Sequence, residues 1–197
     1  THFLKPVSEV YNKIMPAPMA RSIYNIFNNL NGTTTIGNDL LQGNFYQATS
    51  DSWRFLINST AGVAGIFDVA NDIGLDANYE DFGLTLARWG YVNSTYVVLP
   101  FFGSSTIRDT IGLPVDYYAF SPYSRIDDSR TAYTIYALNI VSKRADLLQY
   151  QNLYEQIAID RYAFMKNAYL QKREGQIQHN KQLHDPYLTI AQPRGSN

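Results

Sequence analysis

Arg108 and Asp109, adjacent in the segment GSSTIRDTIG, are the residues best placed to do chemistry in this chain. A guanidinium beside a carboxylate can face a charged headgroup, or it can cap a helix start and bridge to a neighbouring acid. Asp68 and Glu80 are the candidate partners for Arg108 or for Arg88. Neither arrangement breaks a bond. His2, His179 and His184 lie near the termini, and the last two stand five apart without a glutamate in zincin order, which argues against a metal site. No G-x-S-x-G elbow presents a serine nucleophile. Gly62, Gly65, Gly83, Gly90, Gly103 and Gly112 form no GxGxxG or Walker pattern, so helix ends and close packing explain them better than a phosphate cradle. No catalytic residue, metal or cofactor is expected.

A second segment, Ala119 to Arg130 (AFSPYSRIDDSR), sets Phe120 and Tyr123 around Ser121-Pro122 between two helical stretches. It is either a surface turn or an exposed apolar tip with something to contact.

Composition narrows the setting. The chain has 197 residues, one domain's worth, with 17% charged residues and a net charge of −1. That balance leaves no basic excess for nucleic acid. Sixteen tyrosines and ten phenylalanines suit a boundary that is wet on one side and oily on the other. The longest apolar run, around Tyr96 to Phe102, is far below the roughly 20 residues of a spanning helix. No basic start leads into an apolar core at Thr1, so no signal peptide is read there. Zero cysteines exclude disulfides and thiolate chemistry, and fit cytosol and periplasm equally.

The elements that must position these residues are nearly all helical by period, which predicts an all-α single domain. Lys5 to Asn31 reads as two helices broken at Pro16-Ala17-Pro18. The second, Ala20 to Leu30, is expected to end at Asn31-Gly32, with a short helix from Thr33 to Leu41 after it. Phe45 to Asn58 is helical, and Thr60 to Ala70 is a glycine-rich turn into a short helix. Phe82, Leu86 and Trp89 begin another helix, Tyr96 to Phe102 is extended, and Ser104-Ser105 is expected to cap the helix that carries Arg108-Asp109. Arg130 to Leu148 and Leu153 to Arg173 are long helices, and residues 174–197 form a polar tail expected to be loosely ordered.

Glu80, Phe82, Gly83, Thr85, Leu86, Trp89 and Gly90, followed by Tyr96, Leu99, Pro100, Gly103, Ser105, Arg108, Asp109 and Gly112, match a pattern at fixed spacing. That pattern resembles the signature of the VacJ/MlaA family of bacterial outer-membrane lipoproteins. Further blocks resemble the same family. They are Lys5-Pro6-Val7 through Phe27-Asn28-Asn29-Leu30, Phe55 to Ala70, Ser142 to Asp146, and Tyr154 to Arg173. Together they span about residues 3–173. Family members open with a signal peptide, a lipobox cysteine and a further helix. This sequence shows none of these, so the resemblance implies a longer natural precursor carrying a lipid anchor. The Gly-Thr-Thr-Thr run after Asn31 departs from the family, whose members often carry acidic residues and proline there.

The resemblance implies a ring of amphipathic helices around a central pore, seated in the inner leaflet of the outer membrane on its periplasmic face. It implies passive movement of misplaced phospholipid to a soluble periplasmic lipid carrier, and association with a trimeric porin. Asn25, Phe27, Asn29 and Leu30 are then candidates to line or flank the pore, and Phe120 and Tyr123 to form a gating loop beside it. A porin scaffold that moves no lipid, and a lipid-modifying enzyme, are the alternatives.

Overall fold

The computed structural model describes residues 4–100, 102–157 and 160–184. Eight α-helices and one two-stranded sheet make up the described chain. The first helix, α1 (Leu4–Ile14), stops before Pro16, and α2 (Ala17–Leu41) starts with proline in its first turn. There the lost amide donor costs nothing, because the first turn has no acceptor to meet it.

α2 runs for 25 residues without a break at Asn31-Gly32. This corrects the expected stop. A glycine inside a helix costs about 1 kcal/mol, which the packing of α2 along α3 and α7 outweighs. The true stop is Gln42-Gly43, where Gly43 adopts a positive φ of 75°. Asn44 then caps α3 (Phe45–Thr60) by accepting from the Gln47 amide at 3.2 Å.

A tight turn follows in which Val63, Ala64 and Gly65 all have positive φ. For a β-branched valine that conformation is strained. Asp68 caps the short α4 (Val69–Asp72), and Asp81 caps α5 (Phe82–Arg88).

Strand β1 (Tyr96–Leu99) pairs antiparallel with β2 (Gly103–Thr106), Tyr96 opposite Thr106 and Leu99 opposite Gly103. Ser104 and Ser105 therefore belong to the sheet. The cap of α6 (Ile107–Val115) is Thr106, which accepts from the Asp109 amide at 3.2 Å, and this replaces the expected Ser104-Ser105 cap.

Pro114 lies inside α6 and cannot donate to the preceding turn. The chain widens directly afterwards into a π-helical turn, Asp116–Phe120, followed by a 3-10 turn, Pro122–Arg125. The last two helices are α7 (Ser129–Ile157) and α8 (Arg161–His184). The expected helix from Leu153 to Arg173 is thus shared between them. The expected loose tail is helical as far as His184, and residues 185–197 lie outside the described residues, as does His2. No described helix is long and apolar enough to cross a membrane.

The distribution of polarity is reversed relative to an ordinary globular domain. Large apolar side chains such as Phe45, Tyr46, Trp53 and Leu56 of α3 stand in solvent, Tyr46 at 86% exposure. The buried set is dominated by Asn, Asp, Thr, Ser and Arg, while several of the buried apolar residues are alanines. Val7, Val10 and Ile14 form a similar exposed stripe on α1, spaced by three and four.

Candidate functional site

Two constellations occupy the interior. The first is an ionic knot that ties α5, α6 and α8 together. Arg173 of α8 grips Asp81 with both terminal nitrogens, at 2.8 and 2.9 Å, and reaches Asp109 at 2.7 Å. The Tyr169 hydroxyl, one turn earlier on α8, donates to the other Asp109 oxygen at 2.7 Å. Arg108 completes the group: its Nε donates to Asp109 at 3.0 Å, and its Nη1 donates to the Val92 carbonyl at 2.9 Å. Arg108 is only 2% exposed.

Close packing of α5 on α6 makes this possible. A Cβ on Gly83 would lie 2.3 Å from the Asp109 carboxylate, and one on Gly112 would lie 2.8 Å from the Gly83 nitrogen. Burial alone would raise the Asp109 pKa, but the Arg173 charge and the Tyr169 hydroxyl hold it below the usual carboxylate value. Arg173 is pushed the other way: burial disfavours its charge, and Asp81 with Asp109 more than restores it.

Arg108 and Asp109 are therefore paired with each other. Asp68 instead binds Arg54 at 3.0 Å, and Glu80 accepts from Gln42 at 2.9 Å, so neither is the partner of Arg108 that the sequence suggests. Arg108 and Arg173 also form part of the wall of an open cavity of about 340 Å³, together with Ser94, Thr106, Leu170 and Ile177.

Beside the knot, side chains from α2 meet α5 and the π-helical turn. Asp116 accepts from the Phe82 amide at 3.0 Å and from Asn38 at 2.8 Å, and Thr85 donates to Asn38 at 2.7 Å. Burial lifts Asp116 to about 6, against the opposing pull of its Asn38 and Phe82 donors.

The second constellation is aromatic and amide-rich. Tyr123, only 2% exposed, has its ring centroid 6.4 Å from Phe27 and 5.7 Å from Tyr136. Its hydroxyl accepts from Asn139 of α7 at 3.3 Å, and burial pushes its pKa up. The segment from Ala119 to Arg130, read from sequence as either a surface turn or an apolar tip, thus turns its tyrosine inward. Phe120 is half-buried on α2, and its carbonyl accepts from Thr33 at 3.0 Å.

The structure brings Phe27 and Tyr123 together but sends the neighbouring amides elsewhere. Asn25 donates to the Ile66 carbonyl at 3.0 Å, in the turn after α3, and Asn29 to Ser59 at 2.9 Å, in the last turn of α3. Leu30 is half-buried beside them. Sequence reasoning passed over Asp81, Asp116, Asn38, Asn139 and the ionic role of Arg173. The i, i+4 spacing of Tyr169 and Arg173, which puts both on one helix face, was the available sign.

The chain matches the family model described as MlaA lipoprotein over residues 1–176. The chain belongs to the MlaA lipoprotein family. Two relatives are named as the intermembrane phospholipid transport system lipoprotein MlaA. The one from Haemophilus influenzae is 30% identical over 183 residues, covering 91% of this chain and 72% of the relative. The one from Escherichia coli is 30% identical over 177 residues, covering 88% and 69%. An uncharacterized protein of Rickettsia bellii is 30% identical over 184 residues, covering 93% and 72%. A solved structure reported as the structural basis for maintenance of bacterial outer membrane lipid asymmetry matches with a TM-score of 0.72. It is 28% identical, and the match covers 88% of this chain and 87% of that one. The largely helical MlaA architecture is therefore shared, and the residue blocks that carried the resemblance lie inside the matched span.

Proposed function

We propose that this protein is a passive phospholipid conduit of the bacterial outer membrane. It withdraws misplaced phospholipid from the outer leaflet through an amphipathic pore and hands it to a soluble periplasmic carrier, so keeping the membrane asymmetric. The observation that carries this reading is the reversed polarity of the fold: Phe45, Tyr46, Trp53 and Leu56 outside, amides and charges within.

A ring set in the lipid of one leaflet needs that arrangement. Apolar side chains in contact with acyl chains lose nothing by leaving water, whereas isolated charge in hydrocarbon is costly and must turn inward. A two-tailed lipid with a charged head in turn needs a route with polar groups beside apolar walls. Phe27 against Tyr123, with Asn139 at its hydroxyl, joins both kinds of group in one buried place behind such a route. Asn25, Asn29 and Leu30 flank Phe27 on α2, where the two amides tie that helix to the end of α3 and the turn after it, and Phe120 anchors the turn that carries Tyr123. Arg108 and Asp109 act in the frame, holding α6 to α8, and not at the lipid headgroup.

The relatives' names support the phospholipid cargo. The periplasmic face, the lipid anchor, the trimeric porin and the carrier follow from the same family reading. Transport of this kind involves no covalent step, nucleotide or metal.

Native mass spectrometry of the detergent-extracted protein tests the proposal. Intact phospholipid released from the protein supports it, and co-eluting porin supports the assembly. Lyso-lipid or free fatty acid would point to an enzyme, and protein carrying a porin without lipid would point to a scaffold.

A further inference from the structure

Buried polar atoms without a partner concentrate in one part of the fold. Among the described residues seven side-chain atoms are in this state, and four of them stand on α1, α2 and α7: Ser8 Oγ, Tyr11 Oη, Asn31 Nδ2 and Asn139 Oδ1. Ser8 is 0% exposed and Asn139 3%. Such atoms have given up water without a replacement, and folded proteins leave few of them.

The three helices meet along α7. α1 packs on α7, and Asn12 fixes the pairing by donating to the Ala145 carbonyl at 3.0 Å. Ser8 and Tyr11, one turn apart, lie on the side of α1 that this packing buries. Roughly 9 Å back along α7 from Ala145, Asn139 donates to the Asn31 side-chain oxygen and to the Tyr123 hydroxyl, each at 3.3 Å. The buried residues of α7 between these points, Ser142 and Ala145, are small. Little apolar packing therefore holds α1 down, and its Val7, Val10 and Ile14 face outward instead.

The geometry points to a polar track along α7, beneath α1, that passes a phospholipid headgroup. This inference rests on the conduit reading and names the side chains that the headgroup meets. Ser8, Tyr11 and Asn31 offer donors to phosphate and ester oxygens, and Asn139 offers an acceptor to a hydroxyl or ammonium beyond the phosphate. All four are neutral. A succession of weak holds lets cargo leave as readily as it enters, which a fixed opposite charge would not. Tyr123 sets the aromatic wall at the Asn139 end of the track. At the other end, the outward apolar face of α1 rides on acyl chains while the helix lifts from α7.

The test uses Ser8→Cys in the full chain, which has no cysteine of its own. A charged methanethiosulfonate reagent is applied to the detergent-extracted protein, with Ala70→Cys, equally buried but on α4, as the control. Ser8→Cys is expected to label about tenfold faster than the control. Dihexanoyl phosphatidylglycerol should slow it to the control rate, and inorganic phosphate at the same concentration should not. Adding Tyr11→Phe, which removes an unpartnered hydroxyl and keeps the ring, should weaken that protection without lowering the melting temperature. If Ser8→Cys does not fold, Ser142→Cys takes its place. Labelling no faster than the control would overturn the track, and so would fast labelling that the lipid does not slow or protection that survives Tyr11→Phe. Equal protection by inorganic phosphate would also overturn it, because the seam would then hold a free anion. Intact phospholipid in the mass spectrum beside an unprotected Ser8→Cys would sink the track and leave the conduit standing.

Discussion

Phe120 and Gly37 are fitted to one another: a Cβ added at position 37 would lie 2.3 Å from the Phe120 Cδ1. The π-helical turn after Pro114 therefore docks its last ring onto the bare backbone of α2. This contact sets where the chain enters the 3-10 turn, and so where Tyr123 is delivered. Gly37 is part of what positions the aromatic wall, although no motif marks it.

Substituting that glycine should be felt through the ring. Gly37→Ala is expected to cost about 1–3 kcal/mol, the usual range for forcing extra volume into a packed contact. Phe120→Ala combined with Gly37→Ala should cost less than the two single changes added together, because the clash disappears with the ring. Urea denaturation of the four proteins gives the coupling. Strict additivity would show that the ring and the glycine are independent.

Removing Arg173 should be among the most damaging single changes outside the apolar packing. Arg173→Met leaves the partly buried Asp81 and the buried Asp109 beside each other with their shared cation gone. Breaking a buried pair in this way costs about 3–5 kcal/mol. Arg173→Lys keeps the charge but cannot grip Asp81 with two nitrogens, so it should recover only part of the loss. Thermal unfolding ranks the three proteins, and equal melting temperatures would remove the knot from the account.

The same knot gives an acid limit. The Asp109 pKa is held below its unfolded value, so its stabilisation is present above pH 3.8 and is lost as pH falls through the folded value. Glu80 has the opposite sign. Its folded pKa of about 7 exceeds the unfolded 4.5, so its contribution is full below pH 4.5 and is lost as pH rises through 7. Glu80→Gln should therefore flatten the pH dependence of stability between 4.5 and 7, by about 1–3 kcal/mol across that window. Denaturation midpoints at pH 5 and pH 8 check this. An unchanged slope in Glu80→Gln would show that Glu80 is already ionised at pH 5.

Tyr123 separates packing from hydrogen bonding. Tyr123→Phe removes only the acceptor for Asn139 and should cost about 0.5–1.5 kcal/mol. Tyr123→Ala opens a void beside Phe27 and Tyr136, and should cost about 3–5 kcal/mol. Calorimetry of both variants distinguishes a buried ring from a surface one. Near-neutral cost for Tyr123→Ala would mean that the turn stands free of the fold.

The helices were legible because their signs are local. Pro16-Ala17-Pro18 separates α1 from α2, Gly43-Asn44 ends one helix and caps the next, and the spacing of Phe82 and Leu86 marks α5. The break expected at Asn31-Gly32 failed because a glycine only weakens a helix, and the packing of α2 along its neighbours decides whether it continues. Ser104-Ser105 looked like a cap because strand and cap share the same extended backbone, and only the pairing with β1 distinguishes them. The ionic knot was hidden for a different reason: Arg173 and Asp81 are 92 positions apart, and no periodicity links them. Tyr123 looked exposed because composition describes a loop's residues and not the direction in which the fold turns them.

The most direct test of the conduit is the phospholipid content of the outer leaflet in cells lacking their own protein of this family. Full-length protein containing this chain should restore a phospholipid-poor outer leaflet. A Phe27→Ala, Tyr123→Phe double variant, shown to be folded and membrane-associated, should restore it incompletely. Equal restoration by both would remove the Phe27–Tyr123 wall from the lipid path, and failure of the unsubstituted protein to restore asymmetry at all would contradict the proposed function itself.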